Sequence, residues 1–129
     1  MKRSKRKRLT NRLDDLCRQI VRLRDDNRCQ WCNKQVEGQD SHPSHVLPKG
    51  RGASWRRFDL LNIKLLCFNC HRQKWHASPV MASAWFIDKF PVRAKYLHER
   101  YGGNKPAKIS DSEMRELIEQ YKQKVKELE

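Results

Sequence analysis

Apolar positions along the chain follow two periods, interrupted by polar and proline- or glycine-rich punctuation. Leu13, Leu16, Cys17, Ile20 and Leu23 recur every three or four residues, which predicts an amphipathic helix from about Thr10 or Asn11 to Asp26. Asp14 and Asp15 fall in its expected first turn, where the helix dipole favours acids, and Arg12, Arg18, Arg22 and Arg24 form the polar face. Cys17 stands four residues after Leu13 on the apolar face and reads as a buried structural thiol. A short strand is predicted around Ser41 to Leu47, and Pro48-Lys-Gly-Arg-Gly52 then breaks the pattern as a hairpin turn or compact loop would. The stretch from Asp59 to Leu66 is apolar but alternates poorly, and reads as a turn ahead of Cys67.

Helical patterns dominate the C-terminal half of the chain. One helix is expected after Cys70, carrying His71, Arg72, Lys74, Trp75 and His76. Ser78-Pro79 is an N-cap followed by proline at the first helical position, opening a second helix through Met81, Ala82, Trp85 and Phe86. Pro91 opens a third through Tyr96 and Leu97, and Gly102-Gly103 ends it. Ser110-Asp-Ser-Glu113 is a capping box, after which Met114, Leu117, Ile118, Tyr121, Val125 and Leu128 recur at coiled-coil-like spacing. A helix of about 18 residues is not secure alone in water, so it packs on its own body or pairs with a second copy as a homodimer. The fold class is therefore α+β and mostly helical, divided into a disordered basic arm at 1–9, a main domain at 10–103, and a linker with an amphipathic helix at 104–129.

Composition narrows the partner. Lys and Arg total 29 against 15 Asp and Glu, for a net charge of +14 in 129 residues. That excess points to the phosphate backbone of nucleic acid. Lys2, Arg3, Lys5, Arg6, Lys7 and Arg8 make the N-terminal arm, and no apolar segment comes after it to complete a secretory signal. An anionic membrane is the competing partner, and the absence of a long apolar run or lipidation signal argues against it. Mean hydropathy is −0.99, so the apolar core is small and a metal brace is expected on size grounds.

Cysteine spacing supplies that brace. Cys29-Gln-Trp-Cys32 and Cys67-Phe-Asn-Cys70 are two Cys-x-x-Cys pairs, the ligand set of a closed tetrahedral zinc site. The pairs tie together the base of the loop between them. In a cytoplasmic setting thiols stay reduced and serve a metal; an extracellular disulfide framework is the alternative. Between and beside the pairs lie Ser44-His45-Val46, Arg57-Phe58-Asp59 with Asn62, and His71 directly after Cys70.

Through these residues the stretch from about 13 to 90 resembles the His-Asn-His (HNH) nucleases, in the variety braced by a four-cysteine zinc. The likeness extends to small phage and prophage HNH proteins, including the NinG-type recombination nucleases. The resemblance implies a ββα-metal motif in which His45 is the general base, Asn62 pins the loop that orients it, and His71 holds a catalytic Mg²⁺ or Mn²⁺. An imidazole near its ordinary pKa of about 6.5 can take a proton from water at neutral pH. Many family members carry Asp or His before the base as a second ligand, whereas this chain has Ser44, a poor ligand for a hard cation. His42, two residues earlier on the same strand face, or water takes that place. His76 can approach from the helix, although α-helical winding would set it roughly 140° from His71. Lys49, Arg51, Arg56, Arg57, Arg72 and Lys74 are expected to contact nucleic acid, with Trp55 and Phe58 interleaved as sugar contacts or core. The implied activity is a metal-dependent DNA endonuclease of low sequence specificity, acting in the cytoplasm of a phage or prophage host. Selectivity for the structure of recombination intermediates is compatible with it. A non-catalytic zinc-containing nucleic-acid binder is the alternative.

Overall fold

The computed structural model describes residues 4–102 and 106–129. Four α-helices, one wide helix and a two-stranded sheet run in the order α1 (Lys5–Arg24), β1 (His42–His45), β2 (Ile63–Leu66), the wide helix Cys70–His76, α2 (Pro79–Lys89), α3 (Pro91–Tyr101) and α4 (Asp111–Leu128). Short 3₁₀ turns, Gly38–Asp40 and Leu60–Asn62, lead into the two strands.

The N-terminal helix starts earlier than its apolar period implies. Lys2 and Arg3 lie outside the described residues, but from Ser4 onward the stretch expected to be a disordered arm is helical, with the Ser4 hydroxyl accepting from Lys7 N–H as an N-cap. The cause is contact with residues a hundred positions away. The Arg6 guanidinium donates to Asp111 Oδ1 at 2.7 Å and to the Ile109 carbonyl at 2.6 Å, and Thr10 is buried beside Met114. The first turn accordingly holds no acid, and Asp14 and Asp15 sit mid-helix.

The C-terminal part is likewise no detachable unit. Trp55 N–H donates to the Ala107 carbonyl, Ser54 bridges to Lys108, and Ile109 is fully buried, so much of the expected linker is stitched onto the body. The capping box of α4 forms as expected. Its apolar face lies on α1: Met114, Ile118 and Val125 share one core with Leu13, Leu16, Ile20 and Val21. The face that a homodimer would use is thus covered within the chain.

The stretch expected to be only a turn before Cys67 contains a strand. β2 runs antiparallel to β1, with His42 opposite Leu66, Ser44 opposite Lys64 and His45 opposite Ile63. All four β2 residues are buried, and a strand covered on both faces shows no alternation for sequence reading to find. Its outer edge is capped too, since Leu65 N–H donates to Asp25 and the Leu65 carbonyl accepts from Gln30 N–H.

A smaller cluster of Phe86, Leu97 and Tyr101 seats α2 and α3 against Val46 and Leu47. Asp59 accepts from both Tyr96 and Tyr101 hydroxyls at 2.6 Å, fastening α3 to the Leu60–Asn62 turn. In the loop after β1, Gly50 and Gly52 take φ of +74° and +71°, a region glycine enters without steric cost. Among the described residues no helix is long and apolar enough to cross a membrane.

Candidate active site

The two Cys-x-x-Cys turns meet. The Sγ atoms of Cys29, Cys32, Cys67 and Cys70 lie within 4.8 Å of one another, and Cys32 and Cys67 are 3.9 Å apart. A tetrahedral ion with Zn–S bonds of about 2.3 Å requires sulfur separations near 3.8 Å, so the donor set fits a structural metal. Within each turn the second cysteine's backbone N–H points at the first cysteine's sulfur, at 3.5 Å in the first pair and 3.3 Å in the second. Burial opposes the charge of Cys29, but the N–H groups of Cys32, Cys67 and Trp31 outweigh it and bring that thiol down to about 7. Burial and the neighbouring thiols push Cys70 up. Four such sulfurs ionise together only around a cation. Cys17 stays apart, as expected, buried with its thiol toward the Phe58 carbonyl.

Directly after Cys70 the backbone widens into π-helical winding over Cys70–His76. Hydrogen bonds that close over five residues bring positions i and i+5 onto one face. This corrects the α-helical expectation for His76: its Nε2 lies 2.9 Å from His71 Nε2. Protons along the three imidazoles are placed by their neighbours. His42 Nε2 is 2.7 Å from the Gln39 carbonyl, which can only accept, so that nitrogen carries hydrogen. With its hydrogen on Nε2, His42 presents Nδ1 to His71 Nδ1 at 2.9 Å, and His71 donates across that contact in the tautomer that leaves its own Nε2 bare. His71 Nε2 is left with its lone pair facing His76. Nitrogens about 3 Å apart suit adjacent ligands of an octahedral ion with bonds near 2.1 Å. Burial first, then the closeness of His76 and His42, two rings whose protonation would repel a proton on His71, lowers the pKa of His71 to about 4 and keeps that lone pair available.

His45 ends β1, with Nε2 at 2.8 Å from the Arg57 carbonyl. Nε2 therefore donates, and Nδ1 is the free basic nitrogen. Burial lowers its pKa, although the Arg57 carbonyl works the other way. The ring is neutral at pH 7. His45 and His71 line one open groove of about 610 Å³, together with Ser44, Lys49, Trp75 and His76.

Asn62 is completely buried. Its Oδ1 accepts from Leu47 N–H at 2.8 Å, and its Nδ2 donates to the Leu47 and Arg56 carbonyls at 3.1 and 2.9 Å. The amide thus clamps both ends of the loop from Leu47 to Arg56, and the next carbonyl along, Arg57, is the one that holds His45.

The basic residues divide. Lys49, Arg51 and Arg72 are exposed, and Lys74 is half-buried near the Trp31 ring. Arg57, expected at a nucleic-acid surface, is turned inward instead. It makes a two-pronged pair with Asp14, at 3.0 and 2.7 Å, and also donates to the Gly52 carbonyl. Arg56 contributes its carbonyl to the Asn62 clamp. Phe58 is fully buried, placing it in the core, and Trp55 packs half-buried beside it.

Sequence reading missed Lys64. It lies in β2 opposite Ser44, fully buried, with Nζ at 3.1 Å from Ser44 Oγ and 3.2 Å from the centre of the Trp75 ring. A lysine inside an otherwise apolar run beside a cysteine pair was the available clue.

Comparison with curated proteins and with solved structures returns no match. The family profile described as "NinG: Bacteriophage Lambda NinG protein" matches residues 1–129, the whole chain. With that match, a ββα arrangement and a four-cysteine cluster fit to hold a metal on one scaffold, the chain belongs to the NinG family of HNH-type, metal-dependent nucleases.

Proposed function

We propose that this nuclease is an endonuclease that hydrolyses DNA phosphodiester bonds with little sequence preference, using a Mg²⁺ or Mn²⁺ ion while Zn²⁺ occupies the four cysteines. The observation that carries this reading is the opposed pair of His71 and His76 nitrogens, 2.9 Å apart in the groove that also holds His45. His71 and His76 would hold the catalytic ion, leaving most of its coordination to water and phosphate. His42 then orients His71 from behind through their Nδ1 contact, as a metal-bound imidazole commonly needs, rather than binding the ion directly.

When bound, such an ion offsets charge on the phosphate and on the departing 3′ oxygen. His45 supplies the other half. Its Nδ1 takes a proton from water as the water oxygen bonds to phosphorus, while the bond to the 3′ oxygen breaks, that oxygen takes a proton from a second, solvent water, and His45 later returns its own proton to solvent. Asn62 acts by holding the loop that aims His45. Lys49, Arg51 and Arg72 supply phosphate contacts, which carry affinity without sequence information. A reducing cytoplasm keeps the four thiols available to zinc. Recombination intermediates with branches or strand boundaries are the substrates this reading favours, given the whole-chain family match.

The test is plasmid cleavage by zinc-loaded protein with Mg²⁺ or Mn²⁺, with and without EDTA, beside His45→Ala and His71→Ala. Metal-dependent nicking lost in both variants supports the reading. Binding without cutting in either metal would replace it with a non-catalytic nucleic-acid binder. Duplex, nicked, flap and four-way-junction substrates then separate structure selectivity from indifference.

A further inference from the structure

Lys64 is the one fully buried cation in the described core, and no carboxylate is paired with it among the described ion pairs. Burying an ammonium without a counter-charge is costly. Its Nζ instead faces Ser44 Oγ at 3.1 Å, the carbonyls of His45 and Ser44 at 3.4 and 3.5 Å, and the face of Trp75 at 3.2 Å. Every polar partner belongs to the strand that ends in His45. Ser44 and Lys64 are direct cross-strand partners, so the sheet itself holds the pair together.

Ser44 lines the groove beside His45 and His71. Lys64 Nζ donates to the serine oxygen, and in its ammonium form it has only hydrogens to give. The hydroxyl proton then needs another acceptor, and the described contacts of Ser44 Oγ contain none besides Nζ. A hydroxyl in this state is a donor backed by positive charge, which suits an anionic oxygen and repels a divalent cation. Burial, with repulsion from Arg93 added, disfavours the ammonium form of Lys64, and an anion in the groove restores it, so the donor state belongs to the substrate-bound site.

We propose that Lys64 and Ser44 act as a relay, in which the buried ammonium makes the strand position ahead of the base a hydrogen-bond donor to a non-bridging oxygen of the scissile phosphate instead of a ligand for the catalytic ion. The phosphate is thereby the counter-charge that Lys64 otherwise lacks. Ser44 touches substrate in this scheme and Lys64 is a positioning residue. The inference rests on the nuclease reading above and adds to it the group that meets the phosphate.

The experiment compares wild type with Ser44→Ala, Ser44→Thr and Lys64→Met as full-length, zinc-loaded proteins. Zinc content and thermal melting confirm folding, steady-state cleavage of a DNA duplex gives kcat and KM, and Mn²⁺ affinity comes from electron paramagnetic resonance without substrate. Removing one such donor should lower kcat on the order of 10²-fold. Ser44→Ala is expected to show that loss with Mn²⁺ affinity unchanged within about twofold, and Ser44→Thr, which restores the hydroxyl, should recover most of it. Lys64→Met should match Ser44→Ala, and the double variant should be no worse than either. Should Lys64→Met not fold, the alanine and threonine variants still decide. A tenfold weaker Mn²⁺ affinity in Ser44→Ala would make the hydroxyl a metal ligand and overturn the relay, as would full cleavage by Ser44→Ala. Failure of the wild type itself to cut any substrate would strike the nuclease reading, and the relay with it.

Discussion

Asn62 offers the sharpest quantitative test, because its amide faces two acceptors and one donor in a fully buried position. Asn62→Ala removes three hydrogen bonds and strands the Leu47 N–H, the Leu47 carbonyl and the Arg56 carbonyl. Each bond contributes about 1 kcal/mol net, and an abandoned buried group costs about 1–3 kcal/mol. Leu47 and Arg56 are only half-buried, so water compensates in part and the total loss is about 2–4 kcal/mol. For a chain of this size that lowers Tm by roughly 8–15 °C. Asn62→Asp has nearly the same shape yet should be worse at pH 7. One carboxylate oxygen keeps Leu47 N–H, but the other replaces the donor and faces two carbonyl oxygens about 3 Å away. Its folded pKa is raised by that repulsion, so the aspartate variant should regain stability as pH is lowered and the carboxyl protonates. Because the Arg56 carbonyl adjoins the one that holds His45, kcat should fall by roughly 10–100-fold in both variants, as for lost supports of catalytic imidazoles. Urea denaturation at pH 5 and pH 7 with parallel cleavage kinetics measures all of this. An aspartate variant as stable as the alanine variant at pH 7, or an alanine variant with wild-type kcat, would refute the clamp.

The same geometry makes three further outcomes testable. Stripping the metal from the cysteine cluster with a strong chelator, or replacing Cys70 with serine, should abolish the cooperative thermal transition, since thiolate-bound zinc contributes on the order of 10 kcal/mol in small modules; an unchanged melt would deny the cluster its role. Burial lowers the pKa of His45, so the acid limb of the kcat/KM profile should fall below pH 6.5. The unfolded chain's imidazole protonates first as pH drops through 6.5, so this residue's contribution makes the fold less stable on acidification; an acid limb above 6.5 would contradict both statements. Met114→Ala, emptying a fully buried position between α4 and α1, should cost about 2–5 kcal/mol in global stability. Local fraying of the last helix, with α1 left intact by hydrogen exchange, would show instead that the C-terminal part is separable.

What the chain declares by itself is whatever depends on neighbours within a few positions. Two cysteines three apart define a metal-gripping turn, Ser78-Pro79 and the Ser110 to Glu113 box mark where helices start, and the periods of α1 and α4 expose their buried faces. The meeting of Cys29, Cys32, Cys67 and Cys70 was legible for that reason, whereas His45, Asn62 and His71 were singled out through the spacing they share with a known motif. Contacts between distant segments decided the rest. Arg6 finds Asp111 and turns a charged tail into helix, while Asp14 draws Arg57 inward from the surface where it was expected. β2 is hidden by being covered on both sides, Lys64 meets Ser44 only once the strands pair, and His76 reaches His71 only because the helix between them widens. Local propensity and capping act over one or two turns of chain, whereas the burial of a charge and the meeting of two imidazoles depend on how the backbone is wound and packed.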